Sequence, residues 1–144
     1  MSLPPLDGVL EAALYAEDLQ AAAAFHGKTM GLPGILRLAG RHVFFQAGAT
    51  VLLIFNPDAT QLPSEDPALP VPTHGARGPG HLCFSASATA ITQWRARLIA
   101  AGYPIEADFH WAEGTRSIYF RDPAGNSLEI AEPRLWAPSL DPRP

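Results

Sequence analysis

Apolar positions along the chain follow two rhythms, and the changes between them mark out elements. Val9 to Tyr15 is an apolar run broken by one acid, Glu11. Glu17-Asp18-Leu19 then reads as a helix start, with helix-forming residues continuing to Met30 and with Gly31 and Pro33 closing the helix. Ile35 to Ala39, His42 to Gln46 and Thr50 to Asn56 are rich in Val, Phe, Ile and Leu and are punctuated by Gly40 and Gly48, which predicts three short strands joined by tight turns. The order then recurs. His81 to Ala86 predicts a strand, and Ile91, Trp94, Leu98 and Ile99, spaced by helical turns after Ser87-Ala88-Thr89, predict a helix ending at Gly102. Ile105 to Trp111, Ser117 to Arg121 and Ser127 to Ala131 complete a second set of three strands.

The predicted order is therefore βαβββ twice, an α+β fold of two modules, residues 8–57 and 79–133, within one domain spanning 7–135. Placing Gly48 on Gly125, a step of 77 residues (125 − 48), aligns Ala47-Gly48-Ala49-Thr50-Val51 with Ala124-Gly125-Asn126-Ser127-Leu128 and pairs His42 with Tyr119. Between the modules, Pro57, Pro63, Pro67, Pro70, Pro72 and Pro79 recur among Ser, Asp and Gly. That spacing predicts a linker over 58–78 that is neither helix nor interior strand. Residues 136–144, again proline-rich, read as a tail.

Composition narrows the function. The 144 residues are 47% hydrophobic, enough for a core, and only 17% charged with a net charge of −4, which disfavours a nucleic-acid or membrane-surface partner. No apolar run reaches a membrane span, and Met1-Ser2-Leu3-Pro4-Pro5 lacks the features of a signal peptide, so a cytoplasmic location is expected. The single cysteine, Cys83, excludes an internal disulfide and a cysteine-rich zinc site, leaving His and carboxylates as metal ligands.

Glu11 and Glu129 stand inside apolar strands, where a buried carboxylate must be neutralised, paired or metal-bound. The alternative is a wet sheet face on which both are solvated. His81 opens the second module as Glu11 opens the first, so one imidazole and two carboxylates form a candidate set for a divalent ion. Tyr119 and Arg121 share a strand face beside that of Glu129: Tyr119 is a candidate hydrogen-bond or proton donor, and Arg121 either holds an anionic substrate group or pairs with a nearby acid. His42, Ser117 and Trp111 are further candidates for contacting substrate, each with packing as its alternative. Cys83, two residues after His81, reads as a small buried residue.

Phe120-Arg121-Asp122-Pro123-Ala124-Gly125-Asn126-Ser127-Leu128-Glu129 resembles the closing hairpin of the vicinal oxygen chelate superfamily, which includes glyoxalase I, bleomycin-resistance proteins, fosfomycin-resistance enzymes and extradiol dioxygenases. Gly80-His81-Leu82-Cys83-Phe84 resembles the opening strand of that family's second module, and Leu10-Glu11-Ala12-Ala13-Leu14 that of its first. The resemblance implies a curved, mostly antiparallel sheet around a metal-centred cavity, with Glu11, His81 and Glu129 as ligands of one divalent ion (Zn, Mn, Ni, Mg or Fe), and a homodimer. A fourth family ligand would come from the last strand of the first module, which the 77-residue step assigns to Leu52. An apolar residue there departs from the glyoxalase I pattern, Glu11 in place of a first His departs from the extradiol dioxygenase pattern, and Glu11 with Ala13 departs from the fosfomycin type. The implied activity is metal-dependent stabilisation of an enolate or oxyanion on a small-molecule substrate, of the isomerase, lyase or thiol-transfer class, with Glu129 and Tyr119 catalytic. The competing expectation is a non-catalytic binding protein of the bleomycin-resistance type, its groove lined by Phe44, Phe55, Trp111 and Tyr119.

Overall fold

The computed structural model describes residues 2–136, and the chain resolves into two compact units, Met1–Arg77 and Gly78–Pro144. The first unit contains β1 (Glu11–Tyr15), α1 (Leu19–Ala23), β2 (Gly34–Leu38), β3 (His42–Ala47), β4 (Thr50–Phe55) and a short α2 (Pro57–Thr60). The second contains β5 (His81–Ser85), α3 (Ala88–Ala100), β6 (Ala107–His110), β7 (Arg116–Arg121) and β8 (Ser127–Ala131), followed by a single 3-10 turn at Pro133–Trp136. Each unit is thus a βαβββ module. Its sheet is four-stranded and mixed, in the order β1-β4-β3-β2 or β5-β8-β7-β6, with the first pair parallel and the others antiparallel. The predicted tail lies, from residue 137 onward, outside the described residues.

Local chemistry explains the helices. The Asp18 carboxylate accepts from the Ala21 amide at 2.9 Å and caps α1. The helix then widens to π-type turns over Ala24–Thr29 and closes where the Met30 amide donates to the Phe25 carbonyl. Ser87 caps α3 in the same way, its hydroxyl accepting from the Ala90 amide. In the first unit Phe25, Leu52 and Ile54 are fully buried; in the second, Ile91 and Leu98 of α3 pack on Ile118, Phe120, Leu128 and Ile130. Each such side chain contributes about 1.5–3 kcal/mol of burial energy. One face of every sheet is committed to its helix, and the opposite face is left for other uses.

The proline-rich segment departs from expectation in one respect. Pro57–Thr60 is helical, because proline at the first helical position has no amide to miss, and Asn56 caps the turn by accepting from the Asp58 amide at 2.9 Å. The segment also folds back on the first unit. The His74 amide donates to the Thr60 carbonyl, and the Arg77 guanidinium binds Glu17 at 2.7 Å and also Asp58.

Candidate functional site

Strand alternation selects the residues on the free face of the second unit. Leu128 and Ile130 in β8, and Ile118 and Phe120 in β7, are the core positions, so Ser127, Glu129 and Ala131 turn the other way with Ser117, Tyr119 and Arg121. The register extends this face across the sheet: His81 lies opposite Ser127, Cys83 opposite Glu129, Tyr119 opposite Glu129 on its other side, and Ala107 and Phe109 opposite Tyr119 and Ser117. His81, Tyr119 and Glu129 therefore meet on one surface.

Glu129 is only 5% exposed, and its two oxygens have different surroundings. Oε1 accepts a 2.7 Å bond from the Ser117 hydroxyl, which in turn accepts at 2.8 Å from the Trp111 indole N–H. Oε2 lies 3.5 Å from Nε2 of His81. The other nitrogen of that ring, Nδ1, is 2.9 Å from the Ser127 carbonyl, which can only accept, so Nδ1 carries the proton. In the neutral ring the lone pair on Nε2 then faces a carboxylate oxygen. A nitrogen and an oxygen donor placed this way suit a shared divalent ion.

The neighbours tune this pair. The Tyr119 phenol is pushed up to about 12, first by burial and then by its hydrogen bond to the Glu129 carboxylate, so it remains a donor at neutral pH. Burial and then the Glu129 charge push the Cys83 thiol up to about 12 as well, which keeps it a neutral S–H. The side chain meets solvent, but the sheet around it withholds enough water to disfavour the thiolate. Arg121 is turned to other work: its Nε and Nη2 donate to the two oxygens of Glu106 at 2.7 and 3.0 Å, and Nη1 donates to the Gly125 carbonyl at 3.1 Å. Ser117 is fully buried and acts on Glu129 from behind.

The hairpin between β7 and β8 sets these positions. Asp122 accepts from the Ala124 and Asn126 amides through Oδ1 and from the Asn126 side-chain amide through Oδ2. Asn126 Oδ1 accepts from the Gly80 amide at 2.8 Å, which fastens the start of β5 beside β8. Gly125 completes the turn at φ +86°, a conformation that side chains resist.

The corresponding face of the first unit carries Glu11, Ala13 and Tyr15, then Val51, Leu53 and Phe55, then His42 and Phe44. Glu11 occupies the position that His81 occupies in the second unit, the first residue of the first strand, and it is exposed. His42 stacks on Phe44 at 4.2 Å, Phe55 meets both edge-on, and the His74 ring lies 4.7 Å from Phe55 with Nδ1 2.7 Å from the Tyr15 hydroxyl. Burial, and then the charge of Arg41, hold His42 below the ordinary imidazole value, so the ring is neutral at neutral pH.

Pairing within the two sheets corrects the 77-residue step. The β3–β4 turn joins Ala47 directly to its partner Thr50, whereas the β7–β8 turn spans five residues between Arg121 and Ser127. Glu129 pairs with Tyr119 and Cys83 as Leu53 pairs with Phe44 and Ala13, so the counterpart of Glu129 is Leu53, a step of 76 (129 − 53). Leu52 points the other way and is 1% exposed in the core. By the same pairing His42 corresponds to Ser117, and Phe44 to Tyr119. The first module therefore offers no carboxylate at the fourth-ligand position, as the aligned Leu52 had already suggested for a different residue.

A family model described as the Glyoxalase/Bleomycin resistance protein/Dioxygenase superfamily matches residues 8–130. The chain belongs to this superfamily. Among solved structures, a lactoylglutathione lyase from Agrobacterium tumefaciens is 43% identical, with 92% of this chain and 98% of that chain covered and a TM-score of 0.84. A glyoxalase-related enzyme from Fulvimarina pelagi is 26% identical over 88% of each chain, TM-score 0.67. A glyoxalase/bleomycin resistance protein/dioxygenase from Nocardioides, 20% identical over 90% of this chain and 85% of that one with a TM-score of 0.69, shares the fold. No curated protein matches the chain.

Superfamily membership raises the question of a metal, and His81 and Glu129 fit one as a nitrogen and an oxygen donor, each oriented by a second hydrogen bond. Among the described residues, no group of three or more His, Cys, Asp or Glu gathers closely enough to hold an ion. No helix among them is long and apolar enough to cross a membrane. The sequence did not single out Phe109 or Tyr15. For Phe109 the signal was present in the period-two spacing of Ala107, Phe109 and Trp111.

Proposed function

We propose that this superfamily member is a divalent-metal enzyme of the glyoxalase type, in which His81 and Glu129 hold the ion and Glu11, the counterpart of His81, supplies the third protein ligand. The supporting observation is the pair itself: Nε2 of His81 and Oε2 of Glu129 face each other at 3.5 Å, while the remaining donor atom of each is pinned from behind. A bound divalent ion would supply Lewis acidity, stabilising the negative charge that develops on substrate oxygens.

The chain's own groups supply the proton chemistry. Ser117 fixes Oε1 of Glu129, and Oε2, once loosened from the ion, would be the oxygen that takes a proton from substrate carbon and returns it to the neighbouring position. Tyr119, held as a phenol, is a proton donor beside the carboxylate. Trp111 orients Ser117. The 43% identity to a protein named as a lactoylglutathione lyase supports the lyase or isomerase class over dioxygenase chemistry. The ion is one of Zn, Mn, Ni, Mg or Fe, and the working form is a homodimer, checked by sedimentation.

The test is elemental analysis of protein purified without added metal and after loading with each ion. Near-stoichiometric metal in the wild type, lost in His81→Ala and Glu129→Gln and weakened in Glu11→Ala, is the expected result. A wild type that takes up none of these ions refutes the reading. The aromatic face of His42, Phe44 and Phe55 would then favour the second one, a metal-independent binder of small molecules.

A further inference from the structure

Every residue from 61 to 79 is exposed, and the recurring prolines of that stretch keep it from forming an element of its own. Its last part within the first unit nevertheless returns to the sheet, at residues 73–77. The His74 amide donates to the Thr60 carbonyl at 3.0 Å, and Nδ1 of the same residue lies 2.7 Å from the Tyr15 hydroxyl. The His74 ring meets Phe55 edge-on at 4.7 Å and lies 5.9 Å from the Tyr15 ring. Three residues on, the Arg77 guanidinium reaches Glu17, just ahead of α1, at 2.7 Å, and also Asp58 in α2. Tyr15 and Phe55 end β1 and β4 opposite one another, and Phe55 pairs with His42 on its other side, so His74 stands over one end of the first unit's free face.

The hold on this segment is polar and lies at the surface. None of its side chains is buried, and a hollow of about 280 Å³, lined by Pro57, Gln61, Thr73 and His74 among others, separates it from α2. The side chains of Arg77, Glu17 and Asp58 are each more than half exposed. Exposed ion pairs are weak and are screened by salt. A segment fastened in this way opens locally while the strands and core beneath it stay in place. Phe55 below it is only 9% exposed, and the His74 ring is part of its cover. Opening therefore uncovers the aromatic side chains Tyr15 and Phe55 beside His42 and Phe44.

We infer that residues 73–77 are a strap that closes over the Tyr15–Phe55 end of the first unit's free face, with Arg77 as its latch, and that release of the latch controls access to the aromatic side chains beneath. The inference stands apart from the metal-site reading, and protein without metal tests it fully.

The experiment uses the isotope-labelled full chain and follows solvent exchange of the His74 amide by NMR. The internal control is the Asn56 amide, which donates to the Arg41 carbonyl at 2.8 Å without involving the strap. In Arg77→Gln the His74 amide should exchange about 3- to 10-fold faster, with Asn56 exchange and the melting temperature unchanged. Raising sodium chloride from about 10 mM to about 1 M should speed His74 exchange about two- to five-fold in the wild type and leave it unaltered in Arg77→Gln, whose latch is already gone. Nile red, an uncharged dye, reports access to the face. It should bind Arg77→Gln about 3- to 10-fold more tightly than wild type, with amide shift changes centred on Phe44 and Phe55. The gain should vanish in the double variant Arg77→Gln,Phe44→Ala.

Equal His74 exchange in Arg77→Gln and wild type, or wild-type exchange that ignores salt, overturns the latch. Faster exchange with unchanged Nile red binding overturns the control of access and leaves Arg77 a surface tether. A gain in dye binding that survives Phe44→Ala, with shift changes away from β3 and β4, places the dye elsewhere and overturns it as well.

Discussion

Ser117→Ala is the most informative single substitution, because the Ser117 hydroxyl touches both the proposed proton acceptor and the Trp111 indole. It donates to Glu129 Oε1 at 2.7 Å and accepts from the Trp111 indole at 2.8 Å, and the residue is 0% exposed. Removing it leaves a nearly buried carboxylate oxygen without its donor. A hydrogen bond to a charged group in such a place is worth about 1.5–3 kcal/mol. Trp111 is partly exposed and recovers most of its loss by turning to water, adding about 0.5 kcal/mol. The total is about 2–3.5 kcal/mol, which for a chain of this length lowers Tm by roughly 5–14 °C. Loss of this outer hydrogen bond should also weaken metal binding about 10- to 100-fold. Thermal melts of metal-free protein and competition against a chelator of known affinity measure the two effects separately. A variant that melts within 1 °C of wild type and binds metal unchanged would falsify the claim that Ser117 orients Glu129.

Three further outcomes are expected. Asp122→Ala removes the acceptor of two turn amides and of the Asn126 side chain, and should cost about 3 kcal/mol by denaturant titration while loosening metal binding, since Asn126 also fastens Gly80. Asp108 is held below the ordinary carboxylate value, first by its hydrogen bond with Arg116, with Arg95 adding to the effect, so its contribution is present above the ordinary value of 3.8 and is lost as pH falls through the depressed one. Asp108→Asn should therefore lower stability by about 1 kcal/mol at pH 7, the partial exposure of the pair limiting the effect, and the gap from wild type should close below about pH 4. Leu52 and Leu53 are 1% and 8% exposed on opposite faces of β4, so Leu52→Glu and Leu53→Glu should both lower stability by denaturant titration, Leu52→Glu the more because its face packs against the helix.

The outline of the fold was legible because its punctuation is local. Asp18 and Ser87 announce the helix starts, Gly31 and Gly102 their ends, and the Asp122-to-Asn126 hairpin its own closure. Register was harder, and the reason lies in two strands. In β8, Ser-Leu-Glu-Ile-Ala alternates, so the residues that face the helix declare themselves. In β4, Thr-Val-Leu-Leu-Ile-Phe is apolar on both faces, and a shift of one residue costs the pattern nothing visible. The unequal turns supply that shift. Tyr119 and Arg121 share one face of β7 as the alternation predicts, but the partners of Arg121 and the burial of Ser117 depend on Glu106 and Trp111, which come from other parts of the chain.

The two modules share a scaffold, and comparing equivalent positions shows where the chemistry has been concentrated. Glu129 in the second module corresponds to Leu53 in the first, Tyr119 to Phe44, and Ser117 to His42. Each replacement in the first module removes a proton-transfer group or a hydroxyl and adds apolar or aromatic surface. Glu11, opposite Val51 and in the place of His81, is the acid retained at the start of the first module's first strand. The site proposed above would have three protein donors in place of four, and a divalent ion with fewer protein ligands would keep more positions open for substrate oxygens. On that proposal, Leu53 in the place of Glu129 would leave the ion held more lightly by the first module, with metal affinity set chiefly by His81 and Glu129.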